Sequence, residues 1–190
     1  MAEEPVSSLS LFSDDLLYNL EFSDDVCTCK LPDGMSPKTP GEGLCMRALQ
    51  FTDFSKGYSQ LLAQLTRVGD LTQDKFEEQF RGIQASPNTH YITVIEDTTR
   101  GELVASASLI VERKFTHLAA MRGRIEDVIV ADSCRGRQLG KLLLETLSLL
   151  AIKLECYKIS LECVENNVPF YAKFGFKQED SLFMVRRIFD

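Results

Sequence analysis

The chain lacks tryptophan altogether and has only two histidines in 190 residues. Its six cysteines stand at 27, 29, 45, 134, 156 and 163, and Cys27-x-Cys29 is the one close pair among them. A zinc site draws on four His, Cys or carboxylate ligands at clustered spacing, so no metal centre is expected. The cysteines read as reduced thiols, with Cys156 and Cys163 packed as small apolar residues. An excess of basic charge is also missing: 21 Lys and Arg face 28 Asp and Glu, for a net charge of −7. That disfavours nucleic acid as a general partner. The richest apolar run, Leu139 to Leu154, is broken by Lys141, Glu145 and Lys153, too polar to span a bilayer. The opening MAEEPVSS is acidic and carries no leader-like apolar core. A cytoplasmic protein without an integral membrane segment is expected, with peripheral membrane association left open.

What is present suffices for one domain, since 44% of the residues are apolar. Residues 1–40 read as a flexible acidic arm and linker, with docking on the domain or on a partner both open. Leu9 to Phe22 suits a short amphipathic turn or helix, and Pro32, Gly34, Pro37, Pro40 and Gly41 punctuate the linker. Residues 41–190 read as the domain. A strand at Leu44–Leu49 precedes a helix at Phe51–Leu65, whose Phe54, Tyr58, Leu61, Leu62 and Leu65 recur at helical spacing. Thr72 caps a second helix running to about Gln84. Tyr91–Glu96 and Leu103–Val111 form a hairpin across the turn residues DTTRG. After a loop at 113–122 come a strand through Val130, a helix with its leucine stripe at 139–154, and a strand at Lys158–Cys163. Strand, helix, strand implies a parallel pair with a right-handed crossover. A short helix at Asn167–Phe174 stops at Gly175, and a last strand near Phe183–Ile188 closes the chain. The expected class is α+β, a mixed and mostly antiparallel sheet flanked by helices.

The most informative stretch is Arg122 to Lys141, RGRIEDVIVADSCRGRQLGK. It holds five basic residues against three acidic ones in an otherwise acidic chain. A strand entering a helix through a glycine-bearing turn presents unpaired backbone N–H groups and the positive end of a helix dipole. Arg135, Arg137 and Lys141 add charge there, so the spot suits a small phosphate-bearing ligand. Inside the strand the alternation breaks at EDVIV, which either a bulge or a fully buried strand explains.

Arg135-Gly136-Arg137-Gln138-Leu139-Gly140 resembles the cofactor signature of the GNAT superfamily of N-acetyltransferases, with Gln138 where glycine is usual. LTRVG at 65–69, ERKFTH at 112–117, GRIEDVIV at 123–130, CYKISLEC at 156–163 and NVPFYAKFGF at 167–176 carry the resemblance further. Together they look like the glucosamine-6-phosphate N-acetyltransferase family, over about residues 43–187. The likeness implies a GNAT fold with a splayed parallel strand pair, and acetyl-CoA as co-substrate. It implies acetyl transfer to the 2-amino group of glucosamine 6-phosphate, toward UDP-N-acetylglucosamine, by a homodimer with sites near the subunit interface. Other acceptors (a polyamine, a lysine or a protein N-terminus) and a non-catalytic CoA-binding module are the alternatives.

Residue by residue, the likeness places acetyl-CoA on Val128, Ile129, Val130, Arg135, Gly136, Arg137, Gln138, Leu139, Gly140, Lys141, Glu162, Asn167 and Tyr171. Tyr171 would stand beside the CoA sulfur; read alone it is a core aromatic near Phe170, Phe174 and Phe176. The sugar would meet Glu126, Asp127 and Val128, with Glu126 and Asp127 counted as catalytic beside Tyr171. Thr66, Lys114, Phe115, Thr116, His117, Tyr157, Lys158 and Arg187 would line the acceptor pocket, some of them across the dimer. The base that takes the amine proton stays open among Glu126, Asp127, the Glu162 carbonyl and water.

Overall fold

In the computed structural model, which describes residues 9–23 and 25–188, five strands form one sheet. They are β1 (Leu44–Ala48), β2 (His90–Asp97), β3 (Glu102–Arg113), β4 (Met121–Val130) and β5 (Cys156–Ser160), adjacent in that order. The first three junctions are antiparallel and the β4–β5 junction is parallel. The helices are α1 (Asp15–Tyr18), α2 (Tyr58–Leu62), α3 (Gln73–Gln84), α4 (Thr116–Ala119), α5 (Leu139–Lys153) and α6 (Val168–Tyr171). The expected mixed sheet with one parallel pair is therefore the observed one.

Helix α5 is the crossover between the parallel strands. Its Leu139, Leu142, Leu143, Leu147 and Leu150 are buried, and so are Leu144 and Ala151, so it is covered on more than one side. The other face of the sheet carries α2 and α3. Thr72 caps α3 by accepting the Lys75 N–H at 3.4 Å, and Phe76 and Phe80 are buried on it.

The single helix expected over 51–65 is two pieces. A 3-10 turn at Asp53–Lys56 ends at Gly57, whose φ of +83° lies in the left-handed region, and α2 restarts beyond it. Glycine takes that conformation without the steric cost a side chain carries. Leu65, expected on the buried stripe, lies past the end of α2 at Leu62 and is 44% exposed.

The two chain ends also depart from expectation. Residues 1–8 and Asp24 of the segment read as an arm lie outside the described residues. The remainder lies on the domain. Ser10 bridges Gln50, Leu17 is fully buried, and the Tyr18 hydroxyl donates to the Met46 carbonyl at 2.8 Å. Asp14 accepts the Ala48 N–H at 2.7 Å. Further on, Glu145, 1% exposed inside the leucine-rich helix, accepts the N–H groups of Thr28 at 2.6 Å and Cys29 at 3.2 Å. At the other end no strand forms over Phe183–Ile188. Leu182 and Met184 are each 90% exposed there. The apolar run Leu182–Val185 is real, but β5 stops at Ser160 and no strand of the described residues pairs with the tail.

Candidate active site

The strand expected at Lys158–Cys163 pairs two residues earlier, at Cys156–Ser160, and this sets the site. Pairing of β4 with β5 runs from Met121–Cys156 to Arg124–Ser160 and ends there. Beyond it, β4 continues for six residues to Val130 while the chain at 161–164 leaves the sheet. The parallel strands thus open like a V. On its other side β4 carries a bulge: Ser108 pairs with Glu126 and Ser106 with Ile129, so Asp127 and Val128 together oppose Ala107. Asp127 sits at φ +52°. Of the two explanations for the broken alternation at EDVIV, the bulge is the observed one. A bulge re-aims side chains and releases backbone groups from the ladder.

From Val130 the chain passes through a 3-10 turn at Asp132–Cys134 into the loop before α5. Gly136 has φ +82°, and a Cβ built there would meet no atom within 4 Å, so its backbone borders open space. Val130, Cys134, Arg135, Gly136, Gln138, Leu139, Gly140, Lys141 and Phe170 line one cavity of about 200 Å³. An anion entering it meets the start of α5, whose first N–H groups lack intrahelical partners. Arg135 pairs with Asp132 at 2.6 Å, while Arg137 turns away and lies near Gly41. Gln138 adopts φ +65°, a conformation usual for glycine. Its side-chain amide donates to the Gly136 carbonyl at 3.4 Å, folding back along the loop.

Tyr171 ends α6 and packs against Phe170 and Phe176, with ring centroids 5.2 Å and 6.3 Å away. Burial, then the neighbouring Cys163, pushes its phenol above the ordinary value, so it stays a proton donor at neutral pH. Asn167 precedes α6. The Asp127 carboxyl reaches solvent, yet loss of hydration on its protein side, followed by the charge of Glu126, raises its pKa. Below the bulge, burial pushes the Tyr58 phenol up to about 12, and the charges of Asp127 and Asp53 add to this.

Lys114 to His117, Tyr157 and Lys158 sit along the far ends of β3, β4 and β5. Lys114 pairs with Glu112 at 2.6 Å and Lys158 with Glu179 at 3.7 Å. His117 stacks on Tyr157, with centroids 4.4 Å apart and an interplanar angle of 26°. Residues His117, Leu118 and Ala119 all have positive φ, making α4 a left-handed turn. Phe115 and Leu118 project from it fully exposed. Thr66, Thr116 and Arg187 are exposed, Thr66 after α2 and Arg187 in the tail. One residue that sequence reasoning passes over is Arg124. It pairs with Glu126 at 2.5 Å and also with Glu162. The signal was available: Arg124 and Glu126 are two apart on one strand and therefore share a face. Cys134 and Phe170 are likewise additions to the cavity wall.

The family model for the acetyltransferase (GNAT) family matches residues 55–176. A probable glucosamine 6-phosphate N-acetyltransferase of Drosophila melanogaster is 44% identical over 167 residues, 87% of this chain and 75% of its own length. The glucosamine 6-phosphate N-acetyltransferase of Arabidopsis thaliana is 39% identical over 130 residues, 68% of this chain and 87% of its own. A crystal structure of the enzyme of that name from Arabidopsis thaliana superposes with a TM-score of 0.74 at 37% identity, covering 77% of this chain and 99% of that one. The chain belongs to the acetyltransferase (GNAT) family, whose members use acetyl-CoA, and it shares most of its length with glucosamine 6-phosphate N-acetyltransferases.

Proposed function

We propose that the chain transfers acetyl from acetyl-CoA to the 2-amino group of D-glucosamine 6-phosphate, giving N-acetyl-D-glucosamine 6-phosphate and CoA for UDP-N-acetylglucosamine synthesis. The observation that carries the reading is the V between β4 and β5, with the bulge at Asp127 and Val128 above it and the glycine loop directly after it. The pyrophosphate of acetyl-CoA lies on the loop amides from Gly136 to Lys141, and the pantetheine and acetyl follow Val128 to Val130 into the V. Glu162, Asn167 and Tyr171 border the same channel from the β5 side. The neutral amine attacks the thioester carbonyl, a C–N bond forms and the C–S bond breaks. The thiolate takes the Tyr171 proton, the nitrogen sheds its proton to Glu126, Asp127 or water, and solvent returns a proton to the Tyr171 phenolate. A main-chain N–H freed at the bulge near Val128, if aimed at the carbonyl oxygen, is worth about 3 kcal/mol of barrier. The raised carboxyl of Asp127 is a better proton acceptor than an ordinary aspartate. Glu126 and Asp127 face the sugar at the V. Thr66, Tyr157 and the turn from Lys114 to His117, some of them from the second copy of the dimer, complete the acceptor pocket, with Lys158 and Arg187 supplying charge for the phosphate.

The working unit in this reading is a homodimer in the cytoplasm, with residues 41–190 as the transferase domain. Its support is the unpaired apolar tail together with Phe115 and Leu118, which a second copy of the chain would cover. The test is CoA release from acetyl-CoA with glucosamine 6-phosphate, glucosamine, spermidine and a lysine peptide. A marked preference for the sugar phosphate is expected. Preference for spermidine or the peptide would sink the assignment, and no release with any acceptor would support a binding module. Tyr171→Phe should lower kcat by about 100-fold or more while acetyl-CoA binding stays within about twofold.

A further inference from the structure

We propose that Arg124 is a positioning residue that fixes the width of the V, by holding Glu126 on one arm and Glu162 on the other. The inference rests on the proposed donor and acceptor sites. Arg124 is the last β4 residue with a partner on β5, so it stands at the hinge where the strands part. Its guanidinium reaches along β4 to Glu126 at 2.5 Å and across the opening to Glu162, which lies two residues past the end of β5. Backbone hydrogen bonds set the strand separation up to this point. Beyond it, among the described residues, this double ion pair is what ties the two arms together. Neighbouring Arg122 donates to Ser160 at 2.8 Å, a second side-chain tie at the same hinge.

Stability does not explain the arrangement. Arg124, Glu126 and Glu162 are 30%, 36% and 43% exposed, and ion pairs at such exposure contribute only about 0–1 kcal/mol. Nor does Arg124 suit direct capture of a phosphate, because both carboxylates already occupy its planar fork. The geometry has another use. A planar guanidinium fixes two carboxylates at one separation, as a flexible ammonium does not. Since Glu126 faces the acceptor and Glu162 the donor, that separation sets how the amine meets the thioester. Misplacement by an ångström is enough to slow such a step by about 100-fold. The Phe183 ring, 6.0 Å from the guanidinium carbon, places the tail over the same brace.

The full-length chain tests this with Arg124→Gln, Arg124→Lys, Glu162→Gln and the Arg124→Gln/Glu162→Gln double variant. Arg124→Gln is expected to lower kcat with glucosamine 6-phosphate by roughly 10- to 100-fold, with a melting temperature within a few degrees of the parent. Arg124→Lys should recover part of the loss, and the double variant should lose less than the product of the single effects. Independently of activity, amide hydrogen exchange over residues 161–164 should quicken in Arg124→Gln. Unchanged exchange, or multiplicative losses in the double variant, would overturn the brace. So would a rise in KM for the sugar phosphate alone, which would make Arg124 a direct phosphate contact. Faster exchange in Arg124→Gln, found together with a parent chain inert toward glucosamine 6-phosphate, would overturn the acceptor reading and leave the brace standing.

Discussion

The two ends of the chain invert what their compositions suggest. The N-terminal segment is acidic and punctuated by proline, yet from Leu9 onward it is fastened to the domain by buried side chains and by carboxylates on backbone N–H groups. The C-terminal segment carries the apolar run Leu182–Val185, yet from Leu182 onward it is exposed. An apolar run says that a segment needs cover, and it does not say that the cover is in the same chain. Acidic residues, conversely, need not mean a solvated face. A carboxylate is a strong acceptor for the N–H groups that an irregular segment leaves outside any ladder.

The sharpest way to break this contrast is to charge the tail. Leu182→Asp with Met184→Asp should weaken the proposed two-chain assembly by more than about 4 kcal/mol, roughly 1,000-fold, in sedimentation. In dilute single chains, urea unfolding should move by no more than about 0.5 kcal/mol. A parent that sediments as a monomer would remove the assembly. Next in size is Glu145→Leu, which leaves the Thr28 and Cys29 N–H groups without their acceptor and should cost about 3 kcal/mol in urea unfolding. A loss under about 1 kcal/mol would mean that the docked segment adds little to the fold. Asp14→Ala removes a single acceptor, that of Ala48, and should cost about 1–2 kcal/mol in the same assay.

The smallest expected effect concerns pH. Burial raises the Glu145 carboxyl, and the Thr28 and Cys29 N–H groups only partly offset this. The folded chain therefore binds the Glu145 proton at a higher pH than the unfolded chain does. That contribution is fully present below the unfolded carboxylate value of about 4.3 and is lost as pH rises through the folded value. The stability of the parent relative to Glu145→Gln should increase as pH falls from 7 toward 4.5. Urea titrations that show a flat or opposite difference would remove Glu145 as the source.

Within the site, local rules carried far. The bulge was one of two readings of the three consecutive apolar residues after Glu126–Asp127, and the register of β3 on β4 chose it over a fully buried strand. The anion loop was legible because a strand, glycine and helix start are contiguous. Arg124 was missed because its importance depends on where β5 stops, and pairing length is a property of two segments far apart in sequence. Gly57 was missed for a related reason, since periodicity counts apolar residues and does not see one glycine turning left-handed between them.

By itself, then, the sequence determined the order of the five strands, the leucine stripe of α5, the cap at Thr72 and the strand–glycine–helix turn before α5. Each of these depends on residues within a few positions of one another, where φ/ψ preference and side-chain period act directly. Tertiary structure alone decided that Glu145 would hold the N-terminal segment, that β4 and β5 would part after Arg124, and that the tail would find no partner strand among the described residues. These depend on which distant groups compete for the same hydrogen bonds and the same buried surface, and that competition is settled only when the whole chain is packed.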